Sequence, residues 1–65
     1  LRRGVIAVDP AVIPLGTRVF IPGYGEAIAE DVGGAIRGNR IDIAFESHEE
    51  ALSFGRQELE IFIME

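Results

Sequence analysis

Residues 17–31 read TRVFIPGYGEAIAED and predict two strands joined by a tight turn. TRVFIP is rich in β-branched and aromatic residues, a composition that favours a strand. GYG supplies the turn. EAIAED then alternates, so that Ala27, Ala29 and Asp31 share one face while Ile28 and the glutamates share the other. The fold is therefore expected to be built on short strands.

The segment before this pair predicts another strand and a turn. GVIAVD, residues 4–9, is a short apolar run between Gly4 and Pro10, which is typical of a buried strand. DPAVIPLG, residues 9–16, carries two prolines and is expected to form a turn or a short helical turn. Asp9 would be its cap.

The segment after it predicts two more strands and a helix. RIDIAF, residues 40–45, alternates and places Asp42 in the middle of a strand. A helix is predicted from Ser47 to Phe54, because Ser47 and Glu50 form a capping box and Gly55 suits the left-handed position that ends a helix. QELEIFIME alternates again, with an inward face of Leu59, Ile61 and Ile63.

Composition excludes several classes of protein. The chain has 65 residues, no cysteine and one histidine, so it holds one domain at most, without disulfides or a histidine-rich metal site. We predict no metal and no cofactor. The net charge of −5 argues against nucleic acid, since nucleic-acid binders usually carry a basic face. No apolar run approaches the roughly 20 residues that span a bilayer, so no membrane insertion is expected.

About five short strands and one short helix, with glycines and prolines in the turns, indicate a mainly β fold. Short strands of this kind are typical of a small barrel rather than a layered α/β sheet. A core of this size has no disulfide or metal to support it, so stability must come from close packing, a partner or further sequence.

Three aspartates are candidate functional residues. Asp42 is unusual because aspartate is disfavoured within strands, and a carboxyl group on a rigid element suits catalysis; a half-exposed face with a contact to Arg40 would also explain it. Asp31 precedes glycines and is expected to accept backbone N–H groups that fix the loop. Asp9 is explained as a cap or turn residue.

Glycines and one tyrosine are candidate ligand-binding residues. Gly33, Gly34 and Gly38 would allow a sugar or peptide to approach the backbone closely. Their spacing does not match a phosphate-binding loop. Tyr24 lies between two glycines, where an exposed ring would stack on a sugar or cover one end of the barrel.

The segment AVDPAVIPLGTRVFIPGYGEAIAEDVGGAIRGNRID, residues 7–42, together with FGR at 54–56, resembles the 3D domain, which is named for three aspartates. The same pattern resembles the catalytic core of MltA-type lytic transglycosylases and the cell-wall proteins of the stationary-phase survival and resuscitation-factor type. The resemblance implies a double-psi β-barrel. It also implies that residues 1–65 are a single 3D domain, as a fragment lacking the family's N-terminal strand region, which leaves the barrel incomplete.

The resemblance further implies cleavage of the β-1,4 bond between N-acetylmuramic acid and N-acetylglucosamine, with a 1,6-anhydro product. Asp9, Asp31 and Asp42 would be the catalytic set, with Asp42 as the acid that donates and later accepts the proton. Peptidoglycan glycan strands would be the partner, at the bacterial cell envelope or in the secreted fraction. Two other classes stay open, a glycan-binding module without catalysis and a structural or homo-oligomeric barrel.

Overall fold

The computed structural model describes residues 2–64 and folds them into one sheet with one short helix. In chain order the elements are β1 (Val5–Val8), β2 (Arg18–Ile21), β3 (Gly25–Val32), β4 (Asp42–Ile43), α1 (His48–Phe54) and β5 (Phe62–Met64). The strand order across the sheet is β4-β1-β3-β2-β5. β1 and β3 run parallel, and the other neighbouring strands run antiparallel. The prediction of a mainly β fold with one short helix is confirmed.

The hydrophobic core follows the alternation that the sequence predicts. Val19 and Ile21 of β2 are fully buried, and Arg18 and Phe20, which alternate with them, are exposed. Ala27 and Ala29 of β3 are buried in the same cluster. β1 lies between β4 and β3 and is buried at all four of its positions. The core therefore sits against the face of β1, β3 and β2 that carries these side chains.

The helix has both of its predicted ends. The Ser47 hydroxyl accepts a hydrogen bond from the Glu50 N–H at 3.1 Å, so the helix begins one residue later at His48. Gly55 has φ +67°, and its N–H donates to the Ala51 carbonyl at 3.0 Å. A glycine is favoured here because the left-handed region costs it little.

The sheet is not closed into a barrel by the strands of residues 2–64. β4 and β5 lie at its two edges, and each pairs with a single neighbour. The open side is a cavity of about 1480 Å³. It is lined by apolar side chains such as Ile41, Ile43 and Leu59 and by polar ones such as Arg40 and Asp42. Unpaired strand edges leave backbone N–H and C=O groups available for a further strand.

Two predictions at the sheet edges are wrong in part. Ile63 was expected to face inward, but 57% of it is exposed. It pairs with buried Val19, so it does face the core side, where the open cavity leaves it uncovered. Asp42 was expected in the middle of a strand, but it begins β4, which has two residues and pairs with β1.

Candidate functional site

The sheet topology brings the three aspartates to one end of three neighbouring strands. Asp31 lies near the C-terminal end of β3, and Asp9 directly follows β1, which runs parallel to β3. Asp42 begins β4, which runs antiparallel to β1. The C-terminal ends of two parallel strands and the start of a strand antiparallel to them lie at the same end of the sheet. The loop of residues 33–41, which joins β3 to β4, must therefore cross the end of β1.

A β-bulge places Asp31 on the same face as Asp42. β1 pairs with β3 in regular register up to Ile6 and Ala29, but Ala7 then pairs with Asp31, so that Glu30 is the extra residue. Ala7 also pairs with Asp42 on its other side. Residues paired to the same partner share its face, and two strand spacings separate their Cα atoms by about 10 Å. Bulges commonly re-aim a side chain beside a functional site.

The side chains of Asp31 and Asp42 are exposed to solvent. The Asp31 carboxylate accepts the Val32 N–H at 2.9 Å, which lies within its own strand. It therefore accepts a backbone amide as predicted, but the prediction that it fixes the glycine-rich loop is wrong, since no hydrogen bond from that loop to Asp31 is found in residues 2–64. Within residues 2–64 no hydrogen bond or ion pair joins Asp42 to Arg40, whose guanidinium donates to the Ala35 carbonyl at 3.5 Å. The Arg40 contact is therefore absent, whereas the other part of that explanation, an exposed face, agrees with the exposure of Asp42.

Asp9 differs from the other two because both of its carboxylate oxygens accept backbone amides. One carboxylate oxygen accepts the Ala11 N–H at 3.0 Å, and the backbone carbonyl of Asp9 accepts the amides of Val12 and Ile13. The prediction that Asp9 caps a short helical turn is therefore confirmed. The other oxygen accepts the Gly38 N–H at 2.8 Å. The Gly38 amide, then the Ala11 amide, lower the pKa of Asp9; desolvation opposes them, and the Arg37 charge adds a lesser lowering.

The three candidate glycines have different reasons to be glycine. A Cβ on Gly33 would meet the Ile36 side chain at 3.0 Å, so this position serves packing within the loop. Gly38 has φ +66° and faces open space, so its backbone conformation is what favours glycine there. Gly34 also faces open space. Gly34 and Gly38 leave room for a ligand beside the backbone, and their role in binding stays a prediction.

Tyr24 is not the exposed aromatic residue that its place between two glycines predicts. It is 9% exposed, and its ring packs edge-on against Phe45 and Phe54 at centroid distances of 5.2 and 6.4 Å. Its hydroxyl accepts the Gly4 N–H at 2.7 Å and donates to the Ala44 carbonyl. The Arg3 guanidinium lies 4.4 Å from the ring centroid. No free ring face remains for a sugar, so Tyr24 belongs to the core.

The site is thus a pair of exposed carboxyl groups at either side of a glycine-rich loop that a third aspartate binds. Carboxyl groups so placed can donate or accept protons on a bound molecule. Among residues 2–64 no three acidic or histidine side chains are arranged to hold a metal ion. The sequence analysis did not predict the bulge, for which the adjacent acids Glu30 and Asp31 are the only sequence signal. It also did not predict the hydrogen bond from the Gly38 N–H to Asp9.

The fold and the site together define a small β domain with an open sheet, in which three aspartates lie at the same end of three neighbouring strands. The model of the 3D domain family matches residues 4–65, and the chain belongs to that family. The match extends from the turn before β1 through β5, so it covers the whole sheet and all three aspartates.

Three proteins of Bacillus subtilis (strain 168) are similar to the chain. The cell wall-binding protein YocH is 50% identical over 60 residues, which is 92% of this chain and 21% of YocH. The putative cell wall shaping protein YabE is 52% identical over 60 residues, 92% of this chain and 15% of YabE. The SPbeta prophage-derived protein YorM is 47% identical over 62 residues, 91% of this chain and 26% of YorM. The chain thus spans about a quarter or less of each relative.

The helix described within residues 2–64, α1, is neither long enough nor apolar enough to cross a membrane.

Proposed function

We propose that the chain is a cell-wall domain that cleaves peptidoglycan as a lytic transglycosylase, between N-acetylmuramic acid and N-acetylglucosamine. The observation that carries the proposal is the bulge that sets Asp31 beside Ala7 on the same face as Asp42. Membership of the 3D family and the similarity to proteins named for wall binding and wall shaping support the same substrate. The working location would be the cell envelope or the secreted fraction.

In this proposal Asp42 is the catalytic acid and base. Its carboxyl group would donate a proton to the glycosidic oxygen as the bond to C1 breaks. The resulting carboxylate would then accept the proton of the C6 hydroxyl group as that oxygen bonds to C1, which closes the 1,6-anhydro ring. No water takes part, and the proton count of Asp42 is restored. One carboxyl group thus does the work that glycoside hydrolases divide between two.

The surroundings of Asp42 suit this role in two respects. No arginine pairs with it in the described residues, so its carboxyl oxygens are not occupied by an ion pair. Gly34 and Gly38 leave open space in which a glycan could lie against the loop.

The test is digestion of purified peptidoglycan, with mass spectrometry of the soluble products. We expect anhydromuropeptides from the wild-type chain and from Glu46→Gln, a matched control that removes an exposed acid outside the site. Asp42→Asn should reduce their release by about 10²–10⁴-fold because an amide cannot donate the proton. Release by Asp42→Asn at the control rate would contradict the assignment of Asp42.

A second candidate function is glycan binding without cleavage, favoured by the name of YocH. It predicts that the chain sediments with insoluble peptidoglycan and releases nothing. In that case Asp31→Asn and Asp42→Asn would alter the bound fraction rather than any product, and the Glu46→Gln control would bind as the wild type does.

The double-psi barrel is part of the proposal. It requires a further strand between the free edges of β4 and β5, over the open apolar cavity. A second copy of the chain could supply that strand, which is the homo-oligomeric barrel, or another segment of a parent protein could do so. Sedimentation velocity across a hundredfold range of concentration distinguishes these, since only a self-supplied strand makes the mass rise with concentration.

A further inference from the structure

One side chain outside the glycine-rich loop of residues 33–41 forms a hydrogen bond with the middle of that loop. Its other hydrogen bonds join residues three to five positions apart, for example the Ile36 N–H to the Gly33 carbonyl at 3.0 Å. Apart from the strand pairing at its ends, the long-range hydrogen bond found for it in residues 2–64 is the one from the Gly38 N–H to Asp9 at 2.8 Å. Gly38 lies seven residues after Asp31 and four before Asp42, so this bond fixes the middle of the segment that joins them.

The Asp9 carboxylate is suited to holding the loop and unsuited to donating a proton. Both of its oxygens accept backbone amides, Ala11 at 3.0 Å and Gly38 at 2.8 Å. N–H donors stabilise the ionised form, and they lower the pKa of Asp9. The two amides belong to segments 27 residues apart in sequence, the turn after β1 and the loop before β4. A single ionised group therefore connects the two segments that cross at the end of β1.

We propose that Asp9 is a positioning residue of the site, whose carboxylate fixes the loop at Gly38 and thereby sets the placement of Asp42 relative to Asp31. Its effect on catalysis rests on the proposed function, whereas its effect on the loop does not. Asp9 would make no contact with the glycan. It would act through the backbone of residues 38–42, and the left-handed conformation of Gly38 is what turns that N–H towards the carboxylate.

Two substitutions separate the two bonds of Asp9. Asp9→Ser keeps a short acceptor that can still cap the Ala11 amide, since serine is a good helix N-cap, but it is too short to reach Gly38. Asp9→Asn keeps the length but offers one oxygen and one NH₂ group to two N–H donors, so one bond is lost. Glu46→Gln removes an exposed acid that makes neither bond and serves as the matched control.

The experiment is NMR of the ¹⁵N,¹³C-labelled chain with its variants. In the wild type, the chemical shifts of the Gly38 amide proton and of the Asp9 carboxyl carbon should change together with pH. Their common transition should lie below 3.8, the ordinary pKa of an aspartate. Gly38 amide exchange should be faster by about tenfold or more in Asp9→Ser, because the loop opens locally, while the Ala11 amide keeps its protection. The carboxyl carbon signal of Asp42 should move in both Asp9 variants and stay in place in Glu46→Gln. An unprotected Gly38 amide in the wild type, or an unmoved Asp42 signal in both variants, would overturn the proposal.

Digestion of peptidoglycan supplies a separate measurement. If the wild type releases anhydromuropeptides, Asp9→Ser should lower kcat by about 10- to 100-fold through misplacement of the acid, with a smaller change in KM. Loss of all product in Asp9→Ser with every loop signal unchanged would make Asp9 a participant in the chemistry and overturn its positioning role. A wild type that releases no product refutes the proposed function alone, because the NMR result then decides the positioning role by itself.

Discussion

Removing the Tyr24 hydroxyl is the most direct test of how the fold is held together. In Tyr24→Phe the ring keeps its edge-on contacts with Phe45 and Phe54, but the Gly4 N–H and the Ala44 carbonyl lose their partner. Each intramolecular hydrogen bond contributes about 0.5–1.5 kcal/mol, and a buried group left without a partner costs about 1–3 kcal/mol. Ala44 is 6% exposed, so water cannot easily replace the hydroxyl there.

We therefore expect Tyr24→Phe to lower the free energy of unfolding by about 2–3 kcal/mol. That is a large part of the roughly 3–10 kcal/mol expected for a chain of this length, and the melting temperature should fall by about 8–20 °C. Far-UV circular dichroism in urea and on heating measures both, since the variant has no tyrosine for fluorescence. Ser53→Ala removes an exposed hydroxyl group and should change stability by less than about 0.5 kcal/mol. A Tyr24→Phe loss as small as that of Ser53→Ala would refute the reasoning.

Three further predictions concern the helix, the core and the response to acid. Ser47→Ala removes the N-cap and should lower the free energy of unfolding by about 0.5–2 kcal/mol, with Ser53→Ala as the control; an unchanged value would show that the cap contributes nothing. Ile21→Val, at a fully buried position, should cost about 0.5–1.5 kcal/mol, and no cost in the same urea titration would mean that the core repacks. Folding lowers the pKa of Asp9 below its ordinary value of 3.8. The ionised carboxylate therefore stabilises the fold fully above pH 3.8, and this stabilisation is lost as the pH falls through the lower pKa of the folded state. The difference in stability between wild type and Asp9→Ser should therefore shrink from pH 5 to pH 2, and a constant difference would contradict the linkage.

The sequence predicts most of the sheet because its alternation is local. TRVFI has the β-branched and aromatic composition of a strand, and EAIAED alternates with a period of two; the structure buries the two alanines that share one face of that alternation. The helix is predicted because Ser47 and Gly55 mark its ends within a few residues of each other. These signals need no knowledge of which strands become neighbours.

The errors come from contacts between distant parts of the chain. Tyr24 looks exposed in sequence because it follows Gly23 in a turn, yet its hydroxyl binds Gly4 and Ala44, each 20 residues away. The start of β4 at Asp42 depends on where the chain pairs with β1, and the exposure of Ile63 depends on what covers the open side of the sheet. No pattern within ten residues carries that information, so the sequence alone could not supply it.

The three aspartates that name the family are chemically alike in sequence, and their backbone partners separate them. The Asp9 carboxylate accepts two amides from different segments, and that of Asp31 accepts one from its neighbour. No side-chain hydrogen bond is found for Asp42 in the part of the chain that the structure describes. A carboxylate whose oxygens are both bound to amides is committed to the backbone. A carboxyl group without such partners keeps its lone pairs for a ligand. The register of β1 then places that group and Asp31 on one face, separated by Ala7. The placement of Asp31 and Asp42 on one face is therefore a property of the strand pairing. It would be lost if the bulge moved from Glu30 to Asp31, because Glu30 would then pair with Ala7 and Asp31 would be the extra residue.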